Sequence, residues 1–122
     1  MKRSHVLLVL LGLMFPSLAY ADLTIKAYQD LQQGSPADKK MVEMYIGGTA
    51  KGYLWANMVL VQKGQSPLFC FDGDLHTSQA NKIAGEGVAR ALSKGLKSDT
   101  PVELLLLLEL QQRYPCATGQ TH

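Results

Sequence analysis

Residues 35–62 read SPADKKMVEMYIGGTAKGYLWANMVLVQ, and they set the architecture of the chain. Ser35 suits a helix N-cap. Pro36 suits the first helical position, where its missing N–H would be unpaired anyway, and Asp38 favours the positive end of the helix dipole. Met41, Val42, Tyr45, Ile46, Tyr53, Ala56, Val59 and Leu60 recur at threes and fours, which predicts one long helix with an apolar stripe turned to a core. Gly48 and Gly52 stand one turn apart on a shared face, and each costs about 1 kcal/mol of helix propensity relative to Ala. Close approach by another segment has to offset that cost, and two readings supply one: a second helix of the same domain crossing here, or a partner subunit. Tyr53 and Trp55 join the two glycines as helix or dimer packing residues, and Trp55 and Asn57 are expected to be structural. Nothing in this stretch is a catalytic group.

On the N-terminal side, residues 22–33 carry Leu23, Ala27 and Leu31 at a spacing of four, with Ile25 and Tyr28 nearby. A short helix is expected, stopped by Gly34. Residues 1–21 read as an export signal: Lys2 and Arg3 form a basic region, residues 6–13 an apolar core, and Ala19, Tyr20 and Ala21 an A-x-A cleavage site. The apolar core is shorter than the roughly 20 residues a bilayer span needs. Cleavage would leave residues 22–122, starting at Asp22, and the absence of a cysteine there argues against a lipid anchor. The expected location is the periplasm of a bacterial envelope.

The formal charge of +2 belongs to Lys2 and Arg3. Without them, ten basic side chains face ten acidic ones, and no basic stripe with interleaved aromatics is left to neutralise phosphates, so nucleic-acid binding loses its support. The mature length suits one small domain near the size at which a core needs reinforcement. The chain's two cysteines, Cys70 and Cys116, offer it: in an oxidising compartment they permit a single disulfide, which closes a long loop and contributes roughly 4 kcal/mol in the loop-entropy model. A rival reading makes Cys70 a nucleophile with His76 as its base. Export favours the disulfide.

Gly64 and Pro67 end the long helix, and Leu68, Phe69 and Phe71 flank Cys70 as an apolar knot. Asp72, Gly73, Asp74 and His76 are the one place with the look of a metal or acid–base site. Asp-Gly is first of all a turn signal, however, and the ligands that would complete a calcium loop are missing. A helix follows over residues 78–93, with Ile83, Ala84, Val88, Ala91 and Leu92 as its stripe and Gly85 and Gly87 allowing close approach. Gln79, Lys82, Glu86, Arg90 and Lys94 face elsewhere. Thr100, Pro101 and Glu103 combine a capping box with a first-turn proline and start a last helix, apolar on nearly every side from 102 to 110, which implies burial on more than one face. Tyr114 and Pro115 stop it and return Cys116 toward Cys70. The expected fold is all-α: about four helices in one domain, clamped by one disulfide after a cleaved signal peptide.

A serine nucleophile elbow, a phosphate loop, an HExxH zinc motif and a CxxC pair are missing, and no cofactor motif is present. Residue chemistry alone points to a small exported helical domain that binds something and is not an enzyme.

The ordered series Tyr45-Ile46-Gly47-Gly48, Gly52-Tyr53-Leu54-Trp55-Ala56-Asn57, Leu68-Phe69-Cys70, Asp99-Thr100-Pro101-Val102-Glu103 and Tyr114-Pro115-Cys116 resembles the periplasmic immunity proteins that protect bacteria against peptidoglycan amidases delivered by type VI secretion. The likeness covers roughly residues 41–116. It implies an all-helical, often dimeric protein that occludes the cleft of a cognate cysteine amidase. The chain departs from the pattern at Asp72, where members commonly carry proline two positions after the first cysteine.

The polar 94–99 loop, with Lys94, Lys97, Ser98 and Asp99, is the expected toxin-binding element, supported by Gln79, Lys82, Glu86 and Arg90 on the preceding helix. An ordinary solvated connection is the alternative for that loop. A small envelope chaperone or general binding module is the second functional hypothesis.

Overall fold

The computed structural model describes residues 22–117; the proposed export signal lies outside them. Four helices follow in chain order: α1 (Ile25–Gln32), α2 (Pro36–Gln62), α3 (Thr77–Ser93) and α4 (Val102–Arg113). No strand joins them among the described residues; a single isolated bridge ties Thr24 to Pro101. The fold is an all-α bundle closed by a Cys70–Cys116 disulfide with its Cα atoms 4.9 Å apart.

The long helix begins as its sequence predicts. Ser35 caps it, Pro36 takes the first position, and a reciprocal capping box forms: the Asp38 N–H donates to Ser35 Oγ at 3.1 Å, while the Ser35 N–H donates to Asp38 Oδ2 at 2.9 Å. Gly34 follows the Gln33 cap at the end of α1, as expected of a stop, and its N–H donates to the Leu31 carbonyl at 3.1 Å; a Cβ there would also collide with the Asp38 carboxylate that completes the box. At its other end α2 closes with a left-handed Gly64 (φ 70°), the Gln65 N–H donating to the Leu60 carbonyl and the Gly64 N–H to Val61.

The last helix starts differently from its sequence signal. Pro101 is the N-cap, and no side chain caps the helix. Glu103 leaves the expected capping box and accepts from the Leu23 N–H at 3.0 Å and from the Tyr45 hydroxyl. The Val102 N–H, otherwise an orphan donor, reaches the Leu23 carbonyl at 2.8 Å. The segment before α1 therefore serves as a backbone cap for α4.

The core is formed by Val42, Ile46 and Ala50 of α2, Ala80, Ile83, Ala84, Val88 and Ala91 of α3, and Val102, Leu105, Leu106 and Leu110 of α4, with Phe69 and Leu75 from the connecting segment. Gly87 lets α4 close in, since a Cβ there would touch Glu109 Cγ at 3.0 Å. Several stripe assignments are corrected. Met41, Tyr45 and Val59 of α2 and Leu92 of α3 are exposed, and α4 buries one side only, leaving Leu104 and Leu108 in solvent. Trp55, expected to be structural, is 65 % exposed. Asn57 does take the structural role: buried, it donates to the Phe69 carbonyl at 2.8 Å and accepts from the Leu68 N–H at 2.7 Å.

Candidate functional site

Two surfaces stand out once the core is placed. The first is the 94–99 loop between α3 and α4. Helix α3 ends in the same hydrogen-bonded motif as α2: Gly95 is left-handed (φ 73°), its N–H donates to the Leu92 carbonyl, and the Leu96 N–H donates to Ala91 at 3.0 Å. The far side of the loop is pinned as well. The Thr100 N–H donates to Lys97, and the carbonyls of Ser98 and Thr100 accept from the Lys26 and Ile25 N–H groups at the start of α1, each at 3.0 Å. A helix N-terminus needs such acceptors, so the loop and α1 satisfy each other. All six residues from Lys94 to Asp99 are exposed, Leu96 among them. The result is a projecting element with a fixed backbone and free side chains: two lysines, an apolar leucine between them, and an aspartate.

The face of α3 expected to support this loop is divided. Lys82 is exposed, but Gln79, Glu86 and Arg90 turn to α4. Gln79 Nε2 donates to the Tyr114 hydroxyl at 3.3 Å; Arg90 meets Glu109 Oε1 at 3.2 Å and donates to Gln112 at 2.6 Å; Arg113 pairs with both Glu86 and Glu109. The Glu109 side chain is only 7 % exposed, so its two arginines supply the pairing that a buried carboxylate requires. Arg113 also holds the Glu86 carboxyl below the usual carboxylate range. This charge ladder makes those residues part of the α3–α4 seam. The seam escaped the sequence reading because pairs such as Arg90–Gln112 and Glu86–Arg113, 22 and 27 residues apart, leave no local signal.

The second surface is the outward face of α2. Met41, Met44, Tyr45, Met58 and Val59 are 41–65 % exposed beside Trp55. A Cβ at Gly48 or Gly52 meets nothing within 4 Å. The reading that a helix of the same domain crosses at these glycines is therefore overturned. The close approach within the chain is one residue away: a Cβ at Gly47 would press against the Thr77 side chain at the start of α3. Tyr53 does pack internally, its hydroxyl donating to the Glu103 carbonyl at 2.8 Å.

Where α2 meets α4, the hydrogen bond from Tyr45 to Glu103, partial burial and the negative charges of Glu103 and Asp22 push the Tyr45 phenol up to about 12. The folded state thus favours the neutral phenol. Its stability contribution is present below the unfolded value of 10 and is lost as pH rises through 12. Tyr45→Phe is expected to flatten part of the fall in melting temperature between pH 10 and 12, followed by circular dichroism; an unchanged alkaline limb would contradict it. Tyr53, raised by burial and by Glu103, carries a share of the same limb.

Both cysteines lie in the disulfide, so the arrangement of a Cys70 nucleophile with His76 as its base does not form. Asp72, Asp74 and His76 are exposed around a left-handed Gly73 (φ 96°), as a turn requires. Among the described residues no three His, Cys, Asp or Glu side chains gather as metal ligands, and no helix is long and apolar enough to cross a membrane. A shallow groove of about 570 Å³ lies beside the disulfide, lined by Leu54, Met58, Pro67, Phe69 and Phe71. Comparison with protein-family models, curated proteins and solved structures finds no match to this chain.

Proposed function

We propose that this chain is a periplasmic immunity protein that binds a cognate type VI secretion peptidoglycan amidase and occludes its cleft. The observation that carries the reading is the 94–99 loop, with five exposed side chains on a backbone hydrogen-bonded at both ends. An inhibitor of this kind acts by shape and contributes no reactive group. It gains affinity when the inserted element is already ordered, because each side chain immobilised on binding costs about 0.5–1.5 kcal/mol and a loop that must also order its backbone loses more. Lys94, Leu96, Lys97, Ser98 and Asp99 offer an apolar tip with charged flanks, suited to a cleft lined by both kinds of group. The cysteine pair supports export, since disulfides persist in oxidising compartments.

The resemblance adds a second support. Its Asn57, Leu68, Phe69, Cys70, Tyr114 and Cys116 lie together in the structure: Asn57 holds the backbone at Leu68 and Phe69, the Cys70 N–H donates to the Tyr114 carbonyl at 2.8 Å, and the disulfide closes the group. The motif residues thus build the clamp that stiffens the scaffold, and the loop is left to do the recognition.

The test is inhibition of the peptidoglycan amidases of the same genome by purified residues 22–122. One amidase is expected to be titrated to inactivity at a one-to-one ratio of chains. Lys97→Glu is expected to weaken that inhibition about 10-fold or more, with an unchanged melting temperature, because the side chain is exposed and the loop backbone does not depend on it. Failure to inhibit any of those amidases would overturn the proposal. Weak binding to many envelope proteins would move the assignment to a chaperone.

A further inference from the structure

We propose that signal cleavage completes the fold: hydrolysis of the peptide bond between Ala21 and Asp22 frees an α-ammonium on Asp22 that becomes the ion-pair partner of Glu103. The Glu103 carboxylate is only half satisfied by the chain around it. Its Oε1 accepts from the Leu23 N–H at 3.0 Å and from the Tyr45 hydroxyl, whereas its Oε2 is buried without a hydrogen-bond partner among the described residues. Folded proteins keep few such atoms, because burial strips the oxygen of water and returns nothing. No lysine, arginine or histidine side chain pairs with Glu103 or Asp22 among the described residues; Lys26, Lys40, Arg90 and Arg113 all pair elsewhere. The Tyr45 phenol is raised first by its hydrogen bond to Glu103, then by burial and by the charges of Glu103 and Asp22. Tyr53 donates to the Glu103 carbonyl. Two carboxylates and two phenols thus share one corner of the bundle, and no side-chain cation joins them.

The missing charge would arise one residue from the orphaned oxygen. Thr24 bridges Pro101, and the Leu23 carbonyl accepts from the Val102 N–H, so residues 22–24 run antiparallel along 101–103 with Asp22 at the level of Glu103. Adjacent backbone nitrogens stand at most about 3.7 Å apart. The Leu23 nitrogen already touches Oε1, so rotation about the Asp22 backbone brings an α-amino group within reach of Oε2. Before cleavage that nitrogen is an uncharged amide continuing to Ala21. The step is hydrolysis by a signal peptidase. Water adds its oxygen to the Ala21 carbonyl carbon, the C–N bond breaks, and the two hydrogens of the water pass to the nitrogen, leaving a carboxylate on Ala21 and –NH3+ on Asp22.

The effect extends to the loop. The same segment caps α4 and donates from Ile25 and Lys26 to the carbonyls of Thr100 and Ser98, so fastening Asp22 to Glu103 tightens the whole 98–103 stretch. The pairing rests on the export reading and not on the amidase.

Mass spectrometry and NMR titration of the protein purified after export test it. The exported chain is expected to begin at Asp22, with its α-amino pKa about one unit above the ordinary value of about 7.7–8.0. In Glu103→Gln, whose side chain still accepts from Leu23 and Tyr45 but carries no charge, that pKa is expected to be ordinary. A chain that retains residues 17–21 is expected to lose about 10-fold in its folding equilibrium constant at pH 7, and its Ile25, Lys26 and Val102 amides to exchange about 10-fold faster. The raised group stabilises while protonated, so this difference is full below its unfolded pKa of about 8 and is lost as pH rises through the folded value of about 9. A first residue other than Asp22 would overturn the proposal through the cleavage. An ordinary α-amino pKa in the natural chain would overturn it through the pairing, whether or not any amidase is inhibited. An equal loss on retaining residues 17–21 in the Glu103→Gln background would show that the added residues act by bulk, and would overturn it as well.

Discussion

Replacing Cys70 and Cys116 with serine is expected to remove about 2–5 kcal/mol of stability. The bond joins positions 46 apart and anchors the only long irregular stretch among the described residues, between the end of α2 and the start of α3. Around it, the Cys70 N–H donates to the Tyr114 carbonyl, and the Phe71 and Tyr114 rings meet edge to face with centroids 4.8 Å apart. Without the covalent link, these contacts and the Glu86, Arg90 and Gln79 contacts of the α3–α4 seam are left to oppose fraying of α4 from its C-terminus, and Phe69 and Leu110 are core residues near the loss. At about 4–8 °C per kcal/mol for a domain of this size, the melting temperature should fall by at least 8 °C. Thermal melts of the double variant, and of the natural chain with and without reductant, measure it. A change of less than 1 kcal/mol would mean that Asn57 and Phe69 hold the segment unaided.

Asn57→Ala is the second large effect, about 2–4 kcal/mol. It strands two backbone groups: the Phe69 carbonyl, which loses the amide at 2.8 Å, and the Leu68 N–H, which loses its acceptor at 2.7 Å. Each buried group left unpaired costs about 1–3 kcal/mol, with some relief where water reaches the groove beside it. Asn57→Asp separates the two bonds. Its carboxylate can still accept from Leu68 but faces the Phe69 carbonyl without a proton to give. Protonation restores a donor, so this variant should regain stability relative to Asn57→Ala as pH falls through the range where the introduced carboxyl titrates. Urea denaturation at pH 7 and pH 4 follows both variants, and equal losses for the two at both values would show that shape, not hydrogen bonding, holds the segment.

Much of the architecture could be read from local signals, because helix ends are decided within a few residues. Ser35, Pro36 and Asp38 define the start of α2, and Gly64 and Gly95 define the ends of α2 and α3. The face that turns inward was harder to read. Helix α2 is apolar on both sides, and periodicity cannot choose between Val42, Ile46, Ala50 and the Met41, Tyr45, Val59 side. The choice falls to Asn57, a polar residue that sits in the core because its amide matches the backbone of Leu68 and Phe69. A similar ambiguity hid the exposure of Leu104 and Leu108 in a run of leucines. Glu103 missed its capping box because Leu23 and Tyr45, distant in sequence, offer stronger partners. At the candidate site, the 94–99 loop was visible as a polar interval between well-stopped helices. Its anchorage on Lys26 and Ile25 was not, and neither was the diversion of Gln79, Glu86 and Arg90 into the seam with α4.

The disulfide also decides what happens if the exposed loop is cut. Residues 94–99 lie inside the covalent ring closed by Cys70 and Cys116, together with all of α3 and α4. A protease that severs one peptide bond there would open the ring without dividing the molecule. The two new ends would stay tethered, held near each other by the bond and by the packing of α3 on α4, at an effective concentration that free fragments do not reach. A nick in the recognition element would leave the scaffold and its outward surfaces in place.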